Sequence, residues 1–268
     1  MIKIKTEKEI EILRKGGKIL HDLLDELSQK AVAGVSSKEL EEIACKRILD
    51  TGGRPSFKGY KMSRKIFFPT ALCVSINEEI VHGSALPSRI LKNGDIVGLD
   101  LGMEYPINKN AGNKYSKLGG YYTDSARTVI IGDVDKKIKK LVSTTKQCLE
   151  LAIKQIKPKN TLNDIGIAIQ KHAENAGFFV VRDLVGHGVG HEVHEDPQVP
   201  NFEIKNNEMI NAVLKKGMVI AIEPMLNIGT EKVKVMNDGF TITTADKSLS
   251  AHFEHTVAVT ENGYEVLT

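Results

Sequence analysis

The 268-residue sequence contains no tryptophan, few aromatic residues and only three cysteines, Cys45, Cys73 and Cys148. These scattered, odd-numbered thiols lack a CxxC pattern, which argues against a disulfide scaffold or a zinc knuckle and favours reduced cytoplasmic thiols. No apolar run approaches membrane-spanning length, and the alternating apolar and charged side chains of residues 1–7 do not resemble a signal peptide. We therefore expect a cytoplasmic protein with no membrane partner.

A strong excess of one charge is also missing. The 37 basic and 34 acidic side chains leave a net charge of +3, which gives no strong electrostatic case for binding DNA. Hydrophobic residues at 41% and charged residues at 26% are ordinary for a globular protein, and the chain is long enough to bury a real core. Because no linker or low-complexity tract divides the chain, we expect a single domain over residues 1–268.

Helical and β-rich segments alternate along the chain. Thr6 with Glu9, and Ser36 with Glu39, form capping-box patterns that predict two N-terminal helices. The later patterns predict β-rich segments over 71–131, helices over 135–156 and 161–177, and further strands over 178–267. This order predicts an α+β protein whose two related halves share one sheet system. Residues 103–120, rich in Asn, Lys and Gly, are predicted to form an inserted loop.

Five polar residues follow one another in the order Asp-Asp-His-Glu-Glu, each in a short segment that could present it to a shared site. They are Asp100, Asp124, His187, Glu223 and Glu254. Four crowded carboxylates would repel one another unless cations lay between them. One imidazole and four carboxylates suit two divalent metal ions, which can activate a water and hold both oxygens of a tetrahedral intermediate. The sequence therefore predicts a metallohydrolase.

The local context of the two aspartates supports this interpretation. Asp100 lies between Leu99 and Leu101 in a predicted strand, and Asp124 begins another. If the strands pair antiparallel, both carboxylates reach one point. Each aspartate alone is more often a turn cap or an exposed charge, but an unpaired carboxylate buried between leucines is costly.

The sequence around His187 contains three histidines within eight residues. Gly186 and Gly188 flank His187 and would let the backbone approach a ligand closely. We interpret His187 as a metal ligand, His194 as a donor to the substrate, and His191 as a loop side chain.

Glu223 and Glu254 stand at the edges of apolar strands, where a glutamate is sometimes only an edge gatekeeper. Together with the aspartates and His187 they are better explained by bound cations. His252 is expected to share a face with Glu254, and His255 to point to the other side.

These segments together resemble type I methionine aminopeptidases, of the dinuclear-metal peptidase family with the pita-bread fold. The resemblance covers nearly the whole chain and rests on residues 77–83, 94–97, 122–128, 186–190, 194–195, 222–225 and 248–256. It implies two pseudo-symmetric α/β halves around a curved antiparallel sheet, with helices on the outside. It also implies a monomeric enzyme with two divalent ions (Co, Mn, Fe or Zn) that removes the initiator methionine from nascent proteins whose second residue is small.

The resemblance also implies roles for individual residues. All four acids and the imidazole would bind metal, with Asp124 and Glu254 bridging. Glu223 would relay the proton of the attacking water, and His82 and His194 would contact the substrate near the scissile amide. The positions that match the family's methionine pocket are Tyr60, Phe68, Cys73, His82, Val193 and Phe240, with Phe57 as a further candidate. Plain core packing is the alternative for the apolar members.

The sequence departs from the family pattern at several places. Asp100 and Asp124 lie 24 positions apart, whereas the family joins them by a tight hairpin, and residues 61–67 also resemble an insertion. Val193 stands where a phenylalanine is common, and His252 where a glutamine is usual. The lysines of the 103–120 segment and of residues 232–234 suggest a transient contact with the ribosome, although solubility explains them equally well. They are Lys109, Lys114, Lys117, Lys232 and Lys234.

Two alternative functions stay open at this point. One is a proline-directed aminopeptidase or prolidase, which normally carries an extra N-terminal domain. The other is a catalytically inactive pita-bread protein that only binds partners, which would be expected to have lost metal ligands.

Overall fold

The computed structural model describes residues 1–205, 207 and 212–268. Its helices are α1 (Glu7–Lys30), α2 (Ser37–Asp50), α3 (Lys136–Ile153) and α4 (Leu162–Asn175). Its strands in the first half are β1 (Arg54–Pro55), β2 (Leu72–Ile76), β3 (Glu79–Val81), β4 (Ile96–Tyr105) and β5 (Tyr121–Ile130). The later strands are β6 (Phe179–Val180), β7 (Gly186–Gly188), β8 (Glu195–Val199), β9 (Val219–Ile222), β10 (Met225–Asn227), β11 (Val233–Val235), β12 (Ile242–Thr244), β13 (Ser250–His252), β14 (Glu254–Val259) and β15 (Tyr264–Val266).

A curved antiparallel sheet forms the centre of the molecule. Its strands follow the order β1-β4-β5-β14-β9-β7-β8, with β2 added beside β4 and β15 beside β14. Two three-stranded sheets, β13-β10-β6 and β11-β12-β3, accompany it. The predicted α+β architecture with a curved antiparallel sheet is confirmed.

Each half of the molecule has its own helix pair and its own apolar core. One core joins α1 and α2 to β2 and β4 through residues such as Leu24, Leu40 and Leu99. The other joins α3 and α4 to β9 and β14 through residues such as Leu149 and Ile169. Among the described residues, no helix combines the length and apolar character that crossing a membrane requires.

The predicted capping boxes begin the two N-terminal helices. The Thr6 backbone N–H donates to Glu9 Oε2 at 2.7 Å, and the Glu9 N–H donates back to Thr6 Oγ1 at 3.3 Å. Ser36 and Glu39 make the same reciprocal pair at 2.8 and 3.2 Å. These contacts satisfy backbone donors that the first helical turn leaves unpaired, which fixes where each helix starts.

The connection between the two aspartate-bearing strands begins later than the sequence predicted. Strand β4 continues to Tyr105, which pairs with Tyr121 of β5, so the prediction that Met103 begins the loop is wrong. Met103 is fully buried. The loop over residues 106–120 is tied back to the fold by Asn113, whose Nδ2 donates to the Gly120 carbonyl at 2.6 Å and to the His191 carbonyl at 2.9 Å.

Candidate metal centre

Neighbouring strands of the central sheet carry the five candidate ligands. In the register of β4 and β5, Asp100 lies opposite Ala126 and Gly102 lies opposite Asp124. Residues directly opposite one another in an antiparallel pair share a face, so both aspartates point to the same side of the sheet. The predicted antiparallel pairing is confirmed.

The other three candidate ligands join this face from β14, β9 and β7. Glu254 of β14 lies opposite Ala126, and His187 of β7 lies opposite Ala221 of β9. Glu223 directly follows β9. Donor atoms of Asp124, His187 and Glu254 all lie within 4.8 Å of one another. His187 Nε2 lies 3.5 Å from Glu223 Oε1, which brings the fourth side chain to the same point.

Several carboxylate oxygens at this point lack protein partners. Asp100 Oδ1, Asp124 Oδ1 and Glu254 Oε1 are buried and accept no hydrogen bond from residues 1–205, 207 or 212–268. Buried polar atoms are normally satisfied, because an unpaired buried acceptor loses its hydration without compensation. The strands that hold these oxygens are nevertheless tightly tied, since Thr256 Oγ1 donates to the Asp124 carbonyl at 2.8 Å and Ser125 Oγ to the Glu254 carbonyl at 2.9 Å. The arrangement is rigid and rich in free oxygens.

Burial and mutual repulsion make the ionised acids unfavourable in the protein alone. Desolvation, followed by the charge of Asp124, raises the pKa of Asp100 well above its ordinary value. The pKa values of Glu223 and Glu254 rise for the same two reasons, desolvation first. Desolvation raises the pKa of Asp124 to about 7. A cation would reverse these directions, because an opposite charge stabilises the ionised carboxylate.

His187 is held in the form that can bind a metal. Its Nδ1 lies 2.9 Å from the Gly188 carbonyl, and a carbonyl only accepts, so Nδ1 carries the proton. The lone pair is then on Nε2, which faces Glu223. Desolvation lowers the pKa of His187 to about 4, so the imidazole is neutral at neutral pH.

The glycines around His187 serve strand packing. A Cβ at Gly186 would lie 2.3 Å from the Ala221 carbonyl oxygen, and one at Gly188 would lie 2.2 Å from the Asp196 carbonyl oxygen. The close approach that glycine allows is therefore to neighbouring strands, whereas the sequence suggested a close approach to a ligand.

Four other histidines divide between the site and the rest of the protein. The ring of His194 lies 4.4 Å from the ring of His187, and its Nδ1 lies 2.9 Å from the Tyr60 hydroxyl. His252 Nε2 lies 3.7 Å from Glu223 Oε2, on the site side as predicted. His255 points away and meets Thr268 Oγ1 at 3.1 Å. His191, interpreted above as a loop side chain, is buried, and its Nε2 lies 2.8 Å from Glu9 Oε1.

His82 occupies a strained position at the wall of the site. Its φ of 60° lies in the left-handed region that side-chain-bearing residues rarely adopt. Its Nδ1 is buried without a hydrogen-bond partner, and desolvation lowers its pKa. Strain of this kind often marks functional positions, because the surrounding structure must hold the residue in place.

A cavity of about 840 Å³, mouth included, opens above the acids. Its lining contains Asp100, Asp124, His187, Glu223 and Glu254, together with the predicted pocket residues Phe57, Tyr60, Phe68, Cys73, His82 and His194. The structure thus gathers all five candidate ligands and most of the predicted pocket residues around one space.

Two predicted pocket residues adjoin the cavity lining. Among the residues that the structure describes, Val193 and Phe240 are not part of that lining, and their role in the pocket stays a prediction. Phe240 packs edge-on against Phe68, a lining residue, with ring centroids 5.3 Å apart. Val193 is buried beside His194, whose own ring faces the cavity.

Sequence reasoning missed five residues of the lining. They are Met62, Val81, Leu184, Val185 and Met225. Val81 and Met225 adjoin His82 and the Glu223-Pro224 pair, so proximity to motifs could have indicated them. Met62 comes from the 61–67 segment, which the isolated Lys61–Phe67 bridge folds into a turn beside the cavity, and no sequence signal places it there.

The donor set fits divalent cations. It offers several carboxylate oxygens and one neutral imidazole nitrogen, the ligand types that Mn, Fe, Co and Zn accept. Cations would be coordinated by the buried carboxylate oxygens that lack hydrogen-bond partners. Residues of this type on a rigid sheet, beside an open apolar cavity, define a metal-dependent enzyme.

Comparisons with known proteins agree with this class. Residues 11–261 match the model of metallopeptidase family M24. Methionine aminopeptidase 1 of Bacillus subtilis is 43% identical over 269 residues, which cover 100% of this chain and 99% of the relative. The crystal structure of methionine aminopeptidase from Thermotoga maritima matches with a TM-score of 0.89 at 43% identity, covering 100% of this chain and 99% of that one. The chain belongs to metallopeptidase family M24 and, within it, to the methionine aminopeptidases.

Prolidases share the fold over a smaller part of their length. The prolidase from Pyrococcus horikoshii matches with a TM-score of 0.72 at 22% identity, covering 99% of this chain and 63% of that one. The Escherichia coli methionine aminopeptidase, in contrast, is 37% identical, with 100% of this chain and 94% of the relative covered. The proline-directed alternative is therefore not favoured.

Proposed function

We propose that this chain removes the N-terminal methionine from nascent proteins whose second residue is small, using two divalent metal ions. The observation that carries this proposal is the convergence of four buried carboxylates and one neutral imidazole at the floor of a mostly apolar cavity. Membership of the methionine aminopeptidases gives the substrate class.

Asp100, Asp124, His187, Glu223 and Glu254 would hold the two ions, with Asp124 and Glu254 central because their carboxylates lie between the others in the sheet. When bound, such ions supply positive charge that lowers the pKa of a water molecule and polarises the peptide carbonyl. Mn, Fe, Co and Zn all suit this donor set, and availability selects among them.

Glu223 is the proposed proton carrier. Its two carboxylate oxygens lie near His187 Nε2, at 3.5 Å, and His252 Nε2, at 3.7 Å, at the floor of the cavity. Among the described residues, no Lys or Arg forms an ion pair with Glu223, so no fixed cation competes for its oxygens. Glu223 would accept the proton of the attacking water and deliver it to the departing amine nitrogen.

His194 is the proposed donor to the carbonyl oxygen of the scissile amide. The Tyr60 hydroxyl can donate to its Nδ1 at 2.9 Å, which leaves the proton on Nε2. Although its side chain stays accessible through the cavity mouth, desolvation, with further contributions from His187 and His82, lowers the pKa of His194 to about 3. A neutral imidazole can donate its Nε2 proton to the oxygen on which negative charge develops. His82 would contact the substrate from the facing wall.

The apolar part of the cavity is the proposed methionine pocket. Phe68, Cys73 and Met62 line it, and Tyr60 closes one side. A thioether would gain dispersion energy there, and each sulfur–aromatic contact adds about 0.3–1.5 kcal/mol. The pocket would hold the methionine side chain while excluding water from the amide.

A matched set of peptides tests the proposal. Met-Ala-Ser should be cleaved readily, Met-Leu-Ser poorly because the second side chain is bulky, and Xaa-Pro peptides without methionine not at all. Cleavage of the proline peptides alone would establish the prolidase alternative, and absence of any cleavage by metal-loaded protein would establish the inactive one.

We further propose that the enzyme acts as a monomer in the cytoplasm and touches the ribosome transiently. All candidate site residues come from one chain, and the three cysteines are free thiols. Exposed lysines of the 106–120 loop and of residues 232–234 suit weak, salt-dependent contact with ribosomal RNA. Neutralising these lysines should reduce co-sedimentation with ribosomes at low salt, and unchanged co-sedimentation would reject this contact.

A further inference from the structure

A buried ion pair lies behind the loop that carries His194. Lys5, from the segment before α1, donates from its Nζ to Glu195 Oε1. The side chains of Lys5 and Glu195 are only 1% and 2% exposed. Glu195 directly follows His194 and begins β8. The pair therefore joins the N-terminal segment to the residue next to the proposed oxyanion donor.

Lys5 is fixed at both ends. Its backbone N–H donates to the Gly217 carbonyl at 2.8 Å, which ties it to the turn before β9. Its side chain passes so close to Gly190 that a Cβ there would lie 2.8 Å from Lys5 Cε. The backbone hydrogen bond and the packing against Gly190 thus fix the position of the ammonium group.

Glu195 ties together the two arms of the loop between β7 and β8. Its Oε1 accepts from the His191 backbone N–H at 3.2 Å, and its Oε2 lies 3.4 Å from Lys3 Nζ. His191 is itself held by Glu9 of α1 at 2.8 Å. The loop is consequently anchored to the N-terminal segment and to α1 on the side away from the cavity.

On the cavity side, His194 has much weaker support. Among the described residues, one hydrogen bond, from the Tyr60 hydroxyl, and edge contacts with the Tyr60 and His187 rings hold its imidazole. Its position therefore depends on where the backbone at residues 194 and 195 is placed.

We propose that the Lys5–Glu195 pair positions His194 for the reaction, and that Lys5 and Glu195 are positioning residues that touch no substrate. This inference rests on the proposed role of His194. Without the Lys5 ammonium group, the buried Glu195 carboxylate keeps only the His191 N–H and the longer, 3.4 Å contact to Lys3, so it turns toward water and displaces the loop. Small displacements of a reacting group lower rates strongly, because the geometry of attack is lost.

The test uses Lys5→Met, which keeps the apolar stem and removes the charge. We expect kcat to fall roughly 10- to 100-fold while KM stays within about threefold, because the substrate pocket is unchanged. In an His194→Ala background, Lys5→Met should cause no further fall in kcat, since the pair acts through His194. Glu195→Gln keeps the shape of the partner and should show the same pattern with a smaller loss.

The control is Glu192→Gln. Glu192 is exposed on the same loop and pairs with Lys3 of the same N-terminal segment. Its neutralisation should leave kcat unchanged. Imidazole NMR of the metal-free protein provides a readout independent of activity, in which the His194 signal should move in Lys5→Met and stay in Glu192→Gln.

The outcomes separate the two claims. Equal losses from Lys5→Met with and without His194, or an unmoved His194 signal, would overturn the positioning role alone. A normal kcat in both Lys5→Met and Glu195→Gln would do the same. A normal kcat in His194→Ala would overturn the proposed role of His194 and the positioning role with it.

Discussion

Two groups of buried acids in this protein are treated in opposite ways. Glu195 is paired with Lys5, and Glu104, which is 0% exposed, is paired with Arg54 at 2.7 Å. Asp100, Asp124 and Glu254 are also buried, yet among the described residues none of them forms an ion pair with a Lys or Arg, and each keeps an oxygen without a hydrogen-bond partner. Within the part of the chain that the structure describes, Lys5 and Arg54 neutralise Glu195 and Glu104, whereas no Lys or Arg pairs with the acids of the site.

This difference shows what the site requires. Paired acids contribute to a fixed structure, because their charge is neutralised where it lies. Unpaired acids on a rigid sheet oppose their own ionisation, as the raised pKa values of Asp100, Glu223 and Glu254 show. Such a cluster is stable in its ionised form only when external cations occupy it. Substitutions in the paired acids and in the unpaired acids should therefore have different effects on stability and on metal binding.

Removing a ligand imidazole should have the largest effect. His187→Ala should lower kcat/KM by about 10³-fold or more and weaken metal binding, because the nitrogen donor of the site is lost. Peptide hydrolysis and metal titration would measure both. His172→Ala is the matched control, since His172 lies on α4 outside the site and its Nε2 meets Gln147 Oε1 at 3.0 Å. Unchanged turnover in His187→Ala would contradict the assignment of the site.

The next effect concerns pH in the metal-free protein. The pKa of Asp124 is raised to about 7, so the folded state holds a proton that the unfolded state releases near pH 4. Stability from this group is therefore fully present below about pH 4 and is lost as the pH rises to about 7. Asp124→Asn should escape this loss.

The advantage of Asp124→Asn over the parent protein should grow between about pH 4 and 7, to at most about 4 kcal/mol. Comparing the two proteins cancels the opposite contribution of the buried histidines, which both contain. Thermal unfolding in the presence of a chelator measures this stability difference between Asp124→Asn and the parent protein. Lower stability of Asp124→Asn at pH 7 under these conditions would mean that the site needs no counter-charge.

Breaking a paired acid should destabilise the protein whether or not metal is present. Arg54→Met leaves the buried Glu104 with the Ser116 and Tyr122 hydroxyls but without a cation, and should cost about 3 kcal/mol in the free energy of unfolding. Denaturant unfolding measures this, and the double variant Arg54→Met with Glu104→Gln should recover part of the loss. If the loss in the free energy of unfolding caused by Arg54→Met depended on metal, the distinction between paired and unpaired buried acids would be contradicted.

An exposed ion pair gives the smallest effect. Lys18 and Asp22 lie one turn apart on α1, 2.9 Å from each other, with both side chains largely in solvent. Lys18→Ala should change the free energy of unfolding by less than about 0.5 kcal/mol, because water screens the pair. A larger loss in the same unfolding experiment would show that burial is not what separates these groups.

Local sequence patterns predicted the helix starts, and they also indicated the acids and the histidine that the structure brings together as candidate ligands. Thr6 and Glu9 identify a helix start through contacts three residues apart, which sequence spacing alone determines. The aspartates were noticeable in the sequence because burying an unpaired carboxylate between leucines, as at Asp100, costs free energy unless a cation compensates its charge. The register of β4 and β5 then placed them together, as antiparallel pairing requires.

Features that depend on tertiary contacts were not predictable. Strand β8 contains Pro197, which argues against a strand, yet the sheet accepts it at its edge. Phe240 was assigned to the pocket by resemblance, and its edge-on contact with Phe68 of the cavity lining comes from tertiary packing that no local pattern shows. The Lys5–Glu195 pair joins residues 190 positions apart, and no local pattern connects them.

Metal titration of the purified, chelator-treated protein tests the central claim most directly. With Mn or Co at neutral pH, calorimetry should show two equivalents bound per chain, and Asp124→Asn, which removes a central carboxylate, should bind fewer. Peptide cleavage should appear together with uptake. Full activity with no stoichiometric uptake of any divalent ion would contradict the account.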